Sequence, residues 1–447
     1  MRQSIRAVVA SLLVGVLITS CAAPAGTTGP TGLAPASTPP QPSVPGTREP
    51  VDEPGLAISA VARIVADPEK ALLAAEAINE LGFELLRTGT EAQENAVLSP
   101  ASIVLALAMA RAGARGATAT EMDDVLRSVA AESNGEWLAA LDAALAQRTG
   151  SFTDFRGDQT DVTLRITNAP FAQADYEWEA AYLDALAERF GAGVRLVDYI
   201  ADAESARRAI NGWVSEQTER RIPELLGDGA VDTATRLVLV NAIYLKASWL
   251  RQFQKAFTMT GPFHRLDGST VDVPMMSGRV PATFAEGAGW FAVDVPYVGS
   301  QLSMLVLVPE NLPDFEAELD QSKLVTIVEA LEDQGIRLAL PRFGIETSLS
   351  LNETLVKLGM PSAFDPRVAD FTAMTAAERL FISDVVHQAN IDVDETGTEA
   401  AAATAVIMEV VSLPRTVAID RPFLFALRDR ETGAILFLGR VVEPVER

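Results

Sequence analysis

Apolar residues recur at helical spacing through much of the first half of the chain. In residues 68–87 they fall every three or four positions, which predicts an amphipathic helix. Ser99 followed by Pro100 is typical of a helix start, because serine caps free backbone amides and proline is tolerated in the first turn. Thr118 and Glu121 have the spacing of a capping box, which predicts a further helix after them.

Strand-like runs, rich in apolar residues, dominate the second half of the chain and predict buried strands. There are five such runs: Leu237 to Leu245, Leu302 to Val308, Arg337 to Leu340, Phe423 to Leu427 and Ile435 to Val442. Residues 57–447 contain no proline-rich or glycine-rich break and no repeat. The pattern therefore predicts one large domain of mixed α+β architecture with extensive sheet.

Residues 395–405 fit two incompatible local structures. Four successive alanines, Ala400 to Ala403, favour a helix if the segment stands alone. A strand has a period of two, however, and the odd-numbered positions include Glu395, Glu399 and Glu409. This pattern predicts a strand whose odd-numbered residues face water. The even positions carry no charge and begin with small residues: Thr398, Ala400, Ala402, Thr404, Val406, Met408 and Val410. We therefore predict a loop that can become a strand.

The N-terminus has the zones of a secretory signal in residues 1–20: basic residues, an apolar run and small residues. Ile18-Thr19-Ser20-Cys21 resembles a bacterial lipobox, which implies that Cys21 is acylated; a signal peptide with a chance cysteine is the alternative. Residues 21–56 are rich in Pro, Gly and Thr and predict an extended tether. The sequence thus predicts an exported protein, lipid-anchored at a cell membrane or outer membrane, with its domain facing the periplasm or exterior.

Composition and motifs exclude several function classes. A net charge of −24 argues against nucleic acid and anionic membrane surfaces as partners, so the lipid is the only membrane contact expected. The single cysteine rules out an internal disulfide. No hydrolase, phosphate-loop or dinucleotide motif is present, and clustered metal ligands are lacking, so no enzyme activity, cofactor or metal is expected. A Ser99–His387 catalytic dyad remains as an enzymatic alternative.

Several motifs, in order along the chain, resemble the serpin family of protease inhibitors. They are Asn95 to Ile103, Leu107 to Met109, Gly113-Ala114, Ile210 to Val214, Leu237 to Trp249, Val295 to Tyr297, Met304 to Pro309, Leu340 to Phe343, Leu355 to Met360, His387 to Glu395, Asp420 to Phe425 and Phe437 to Val441. The resemblance implies a serpin fold: a single domain with three β-sheets, eight or nine helices and an exposed reactive-centre loop at about 395–416.

The resemblance also assigns roles to particular residues. Ser99, Ser102, Asn241 and His387 match the shutter, a buried polar cluster beneath the central sheet; for His387, a core histidine without a dynamic role is the alternative. Trp249 and Arg342 match the breach at the top of that sheet, where Arg342 is expected to pair with Glu395. The loop hinge comprises Glu395, Gly397, Thr398, Glu399, Ala400, Ala401, Ala402, Ala403 and Thr404.

In this family the cut bond lies about seventeen residues into the loop, which points to Val411-Ser412. The implied partner is a serine protease, with a cysteine protease as a further option, held in a covalent acyl complex by a monomeric inhibitor. Valine suits a small apolar pocket of the elastase or subtilisin type. Alternative cleavage sites are Met408, Val410 and Arg415. The rival function is that of a noninhibitory serpin-fold lipoprotein. The tripeptide at 156–158, Arg-Gly-Asp, receives no role.

Overall fold

The computed structural model describes residues 55–131, 134–398 and 415–445. Within these ranges it has nine α-helices: α1 (Lys70–Gly89), α2 (Pro100–Ala112), α3 (Gly116–Val125), α4 (Gly135–Ala146), α5 (Ala180–Phe190), α6 (Tyr199–Gln217), α7 (Leu312–Glu318), α8 (Gln321–Glu329) and α9 (Asn352–Leu358). Short 3₁₀ turns at Lys255–Phe257 and Ser362–Phe364 complete the helical elements. None of the described helices is both long and apolar enough to cross a bilayer.

The strands of the described residues form three sheets. The large sheet has the order β1 (Leu56–Ala57), β5 (Val194–Val197), β4 (Gln159–Gln173), β6 (Leu237–Ser248), β15 (Gly397–Thr398), β14 (Asp384–Val393) and β13 (Phe343–Ser350), with β3 (Gly150–Thr153) on β4. The six-stranded sheet has the order β2 (Ala96–Leu98), β18 (Ile435–Val441), β17 (Phe423–Asp429), β11 (Leu302–Pro309), β10 (Trp290–Pro296) and β9 (Thr283–Gly287). The four-stranded sheet has the order β16 (Thr416–Ala418), β12 (Arg337–Pro341), β8 (Thr270–Arg279) and β7 (Met259–His264).

The three sheets and the mixed architecture confirm the predicted fold class. Alternation along β6 explains how the large sheet is covered on both faces, because successive side chains point to opposite sides. Leu239 and Leu245 face the main core, which α2 and the six-stranded sheet share. Val240 and Ala242 face the second core beneath α6, where they meet residues such as Ile210. Thus the central strand is largely apolar on both faces, as the run Leu237 to Leu245 predicts.

Local sequence signals account for several element boundaries. The Ser99 hydroxyl accepts a hydrogen bond from Ser102 N–H at 3.3 Å, and Pro100 occupies the first turn, so the predicted start of α2 is confirmed. The capping box at Thr118 and Glu121 is wrong, because α3 begins at Gly116 and both residues lie inside it. Their side chains instead make long-range contacts: Thr118 accepts from Asp370 N–H and Glu121 from Ser362.

Candidate functional site

Strands β6 and β14 leave the large sheet incomplete between them. Their lower parts pair in parallel, from Asp384 opposite Val238 to Gln388 opposite Ala242. Above this point they have no direct pairing, and the two-residue strand β15 lies between their upper ends. β15 is antiparallel to both neighbours: Thr398 pairs with Ala247 of β6 and with Val393 of β14. Gly397 and Thr398 therefore enter the sheet at the top of a gap between β6 and β14. The chain after residue 398 would have to continue into this gap to complete the sheet.

Both residues of β15 fit closely at this position. Gly397 has φ 149°, a conformation that L side chains rarely adopt, and a Cβ there would overlap the carbonyl oxygen of Ala247. Thr398 is 2 % exposed, and its hydroxyl lies 2.7 Å from the hydroxyl of Tyr297. Tyr297 in turn stacks on Trp249, with the ring centroids 4.5 Å apart. An even position of the segment thus faces the main core, as the parity predicts.

The loop base is fixed by Glu395, whose side chain is only 1 % exposed. The prediction that it meets water is wrong, because Asp394 forms a turn with Gly397 and strand alternation starts only after that turn. Arg342 Nε donates to Glu395 Oε1 at 2.9 Å, so the predicted pair between these residues is confirmed. Trp249 adds a hydrogen bond from its Nε1 to the carbonyl of Asp394 at 2.9 Å.

Two opposing effects set the pKa of Glu395. Burial raises the pKa, but the hydrogen bonds from Arg342 and Thr258 lower it by more than burial raises it. The net pKa is therefore below that of a free glutamate. A lowered pKa means that the ionised carboxylate stabilises the folded chain above its unfolded pKa. That stabilisation is lost as the pH falls through the folded pKa. The loop base is therefore weakened by acid.

A buried polar cluster joins α2 to the paired part of β6 and β14. Asn241 and His387 are register partners, and His387 Nδ1 lies 2.5 Å from Asn241 Oδ1. The Ser99 N–H donates to His387 Nε2 at 3.0 Å, so the imidazole proton lies on Nδ1 and is donated to Asn241. Asn241 Nδ2 then donates to the carbonyl of Val386 at 3.1 Å. Ser102 completes the cluster with a 3.0 Å contact to the amide of Asn168.

This geometry gives no catalytic dyad. The Ser99 hydroxyl serves as the helix cap, and His387 accepts from the backbone N–H of Ser99 rather than from its hydroxyl. Both residues are fully buried, so a substrate cannot reach them. What the cluster does is tie β6 to β14 through Asn241 and His387. The two strands cannot separate without breaking that hydrogen bond.

Burial lowers the pKa of His387 to about 3, far below the value near 6.5 of a free histidine. Between these values the unfolded chain binds more protons than the folded chain, so stability falls as the pH drops below about 6.5. We expect thermal inactivation at a fixed temperature to accelerate from pH 7 to pH 4. Each pH unit below about 6.5 weakens the folded state by up to about 1.4 kcal/mol through this group.

The variant His387→Gln isolates the contribution of the imidazole from that of the carboxylates. Glutamine keeps a polar side chain at the site but does not titrate, so its inactivation rate should depend less steeply on pH between 6.5 and 4. Inactivation rates of the parent and the variant, measured across this range, provide the comparison. Equal slopes would show that His387 is not the acid-sensitive group.

The C-terminal end of the loop is anchored at Arg415. Its guanidinium pairs with Glu286 of β9 at 2.5 Å and lies 4.3 Å above the ring of Phe284. Its carbonyl accepts a 2.8 Å hydrogen bond from Arg337 N–H, and β16 begins at the next residue. Arg415 is therefore part of a fixed base, which argues against its role as a cleavage site.

The structure thus brings the predicted polar residues into two groups. Ser99, Ser102, Asn241 and His387 form one, while Trp249, Arg342, Glu395 and Thr398 surround the top of the gap. The predicted Glu399, Ala400, Ala401, Ala402, Ala403, Thr404, Val411 and Ser412, together with Cys21, lie outside the described residues. Sequence reasoning gave no role to Asn168, Thr258 or Tyr297. Only Tyr297 carried a signal, since it ends one of the resembling motifs.

Comparison with known proteins identifies the family. The model of the serpin family (serine protease inhibitor) matches residues 76–444. The chain belongs to the serpin family. Leukocyte elastase inhibitor A of Mus musculus is 35% identical over 377 residues, which cover 81% of this chain and 97% of that protein. This similarity supports protease inhibition as the general activity and a protease as the partner.

Solved serpin structures show the same fold. The native state of the thermophilic serpin tengpin has a TM-score of 0.75 at 26% identity and covers 86% of this chain and 97% of that chain. Human thyroxine-binding globulin complexed with thyroxine has a TM-score of 0.74 at 27% identity. The match covers 84% of this chain and 100% of that chain. Since one of these relatives binds thyroxine, the serpin fold alone does not fix the activity of this chain.

Proposed function

We propose that this serpin inhibits serine proteases of the elastase or subtilisin type by inserting its own cleaved loop into the large sheet. The observation that carries the proposal is the position of β15. Gly397 and Thr398 already lie between β6 and β14, antiparallel to both. Residues that follow Thr398 can extend this strand through the sheet only by separating β6 from β14 where the two strands now pair. The gap is thus a preformed start for insertion.

The existing register determines where each loop residue would lie after insertion. Thr404 follows Thr398 by six residues, Asn241 precedes Ala247 by six and His387 precedes Val393 by six. Thr404 would therefore fall between Asn241 and His387, the two side chains that now bond to each other. A threonine hydroxyl can donate to one and accept from the other. Insertion would thus replace the polar contact that it breaks.

The same register explains why the hinge residues are small. Ala400 and Ala402 would lie beside Leu245 and Ile243 on the main-core side, where little space remains. Ala403 would lie beside Ala242, beneath α6. Larger side chains at these points would have to displace packed neighbours, which costs about 1–3 kcal/mol each. The only hinge charge after Glu395 is Glu399, which would fall beside the exposed Lys246.

The chemistry begins as ordinary peptide hydrolysis. The serine oxygen of the protease attacks the carbonyl carbon of Val411, and an ester forms as the amide bond to Ser412 breaks. The Ser412 nitrogen takes up a proton and leaves as a new amino terminus. Release of this end frees residues up to Val411 to enter the sheet with the protease attached. Insertion that displaces the protease before water attacks the ester leaves a stable acyl complex.

Incubation with elastase, subtilisin, chymotrypsin and trypsin tests both the mechanism and the bond. We expect elastase or subtilisin to give a complex that survives a denaturing gel, because valine fits a small apolar pocket. Mass spectrometry of the released C-terminal peptide should place its new end at Ser412. A different new end would overturn the bond assignment, and complete cleavage without any complex would overturn inhibition.

The rival function is that of a noninhibitory serpin, favoured by the resemblance to the thyroxine-binding relative. The hinge composition argues against it, because Thr398 and Ala400 to Ala403 are all small. A noninhibitory chain would be cut in the loop but would not retain the protease. The gel experiment therefore separates the two functions directly.

We further propose that the inhibitor is exported and held at a membrane by a lipid on Cys21. This rests on the order of basic, apolar and small residues before that cysteine and on the proline-rich segment 21–56 after it. Metabolic labelling with a radioactive fatty acid should mark the parent chain but not Cys21→Ser. Equal labelling of both chains would contradict the assignment.

A further inference from the structure

Two arginines face each other at the end of the four-stranded sheet nearest the loop. Arg279 of β8 and Arg337 of β12 are register partners, so their side chains leave the sheet on the same face. Both are exposed, whereas the next pair on the opposite face, Gly278 and Leu338, packs towards the core. Like charges directly opposite each other destabilise a sheet. Their juxtaposition in a chain of net charge −24 is therefore not explained by stability.

No carboxylate among the described residues forms an ion pair with either arginine. Arg337 makes only a long 3.5 Å hydrogen bond from its guanidinium to Ser277. The acids nearest to Arg337 along the chain are Glu332 and Asp333. Asp333 Oδ1 accepts a hydrogen bond from Gly335 N–H instead. Glu286, which follows Arg279 along the chain, forms its ion pair with Arg415. Within the described ranges, the two guanidinium groups are therefore not neutralised by a carboxylate.

Their position places these charges beside a protease that has engaged the loop. Arg337 N–H bonds to the carbonyl of Arg415, which lies only four residues after Val411. Four extended residues span at most about 14 Å, so the attacked bond stays close to this face. Charges within roughly a Debye length of about 8 Å act on a docked partner, while negative charge that lies farther away is largely screened.

The same face has an apolar portion. Met259 of β7 is 72% exposed and is in register with Met275 of β8, which lies four residues before Arg279 on the same side. Methionine and arginine are both enriched at protein interfaces, and methionine adapts to differently shaped partners. Apolar surface next to unpaired cations suits a partner that presents acidic groups around an apolar patch.

We propose that Arg279 and Arg337 form a docking surface that selects target proteases with an acidic surface beside the active site. The proposal rests on the proposed function, because the protease must first engage the loop. The two arginines speed encounter with an acidic protease and repel a basic one, which gives discrimination that the Val411 side chain alone does not provide.

The double variant Arg279→Ala/Arg337→Ala tests this with two probes that share a preference for small apolar residues. One is an acidic subtilisin-like protease and the other a basic elastase. We expect the association rate constant to fall roughly fivefold with the acidic protease and to rise with the basic one, with both differences shrinking at high salt. Thermal stability should be unchanged or higher, because a like-charge pair is removed.

A matched control removes two other exposed cations, Lys357 and Arg367, as Lys357→Ala/Arg367→Ala. Lys357 lies on α9, which follows the end of β13 furthest from the loop base. This control should leave both rate constants unchanged. If the parent forms complexes but the arginine variant reacts at the parent rate with both proteases, the docking surface is refuted while inhibition stands. If the parent forms no complex with either protease, the proposed function itself fails.

Discussion

Replacement of Thr398 by arginine is expected to convert the inhibitor into a substrate. Thr398 is 2 % exposed and faces Tyr297 in the main core, where an arginine would bury a cation without a partner. Such burial costs several kcal/mol, so the arginine should leave this position in the intact chain and would have to return to it during insertion. Every 1.4 kcal/mol of that cost slows insertion about tenfold relative to hydrolysis of the ester. The number of inhibitor molecules consumed per protease inactivated should therefore rise by about tenfold or more.

The matched variant is Thr398→Ser, which keeps a hydroxyl within reach of Tyr297 and adds no bulk. It should retain the parent stoichiometry. Titration of a fixed amount of protease with each variant, followed by a denaturing gel, gives the ratio of complex to cleaved inhibitor. Stable complexes at the original ratio from the arginine variant would show that inhibition does not require residue 398 to be buried in the sheet.

A disulfide between β6 and β14 is expected to abolish inhibition reversibly. Val240 and Val386 are register partners in the second core, and neighbouring strands lie about 4.8 Å apart, within the range that a disulfide requires. In the variant Val240→Cys/Val386→Cys, with Cys21→Ser to leave no third thiol, the oxidised protein cannot open the sheet at this level. It should be cleaved without forming a complex, and reduction should restore complex formation.

The control places the disulfide between strands that need not separate. Ser348 of β13 and Gln388 of β14 are register partners, and both lie on the same side of the gap. The oxidised variant Ser348→Cys/Gln388→Cys, again with Cys21→Ser, should inhibit as the reduced form does. If the oxidised β6–β14 variant still forms complexes at the parent rate, the loop does not insert between these strands.

The five strands that the sequence predicts in the second half are all observed, and four of them, β6, β11, β17 and β18, are buried on both faces. Leu237 to Leu245 is apolar except for Asn241, and the observed β6 exceeds the prediction by only three residues. The 15-residue strand β4 was missed, because its polar alternate residues and Pro170 argue against a central strand. Its pairing with β6 over ten residues, from Thr163 to Ala172, overrides that local preference.

The loop base shows what local pattern cannot reveal. Parity places Glu395 in water, yet a turn at Asp394 and the cation of Arg342, 53 residues away in sequence, bury it. The role of Tyr297 could not be predicted either, because its hydroxyl contacts the hydroxyl of Thr398, which lies 101 residues later in the sequence. The residues predicted to form the shutter were grouped by family resemblance, and no spacing along the chain shows that Ser99 and His387 meet.

Thermal unfolding of the intact and the clipped chain tests most directly whether the loop can complete the large sheet. Limited cleavage at Val411-Ser412 by a protease that is then removed leaves residues 399–411 free to extend β15 between β6 and β14. The new strand would form backbone hydrogen bonds on both sides, so we expect the clipped chain to melt roughly 20 °C or more above the intact chain. Equal melting temperatures would contradict loop insertion.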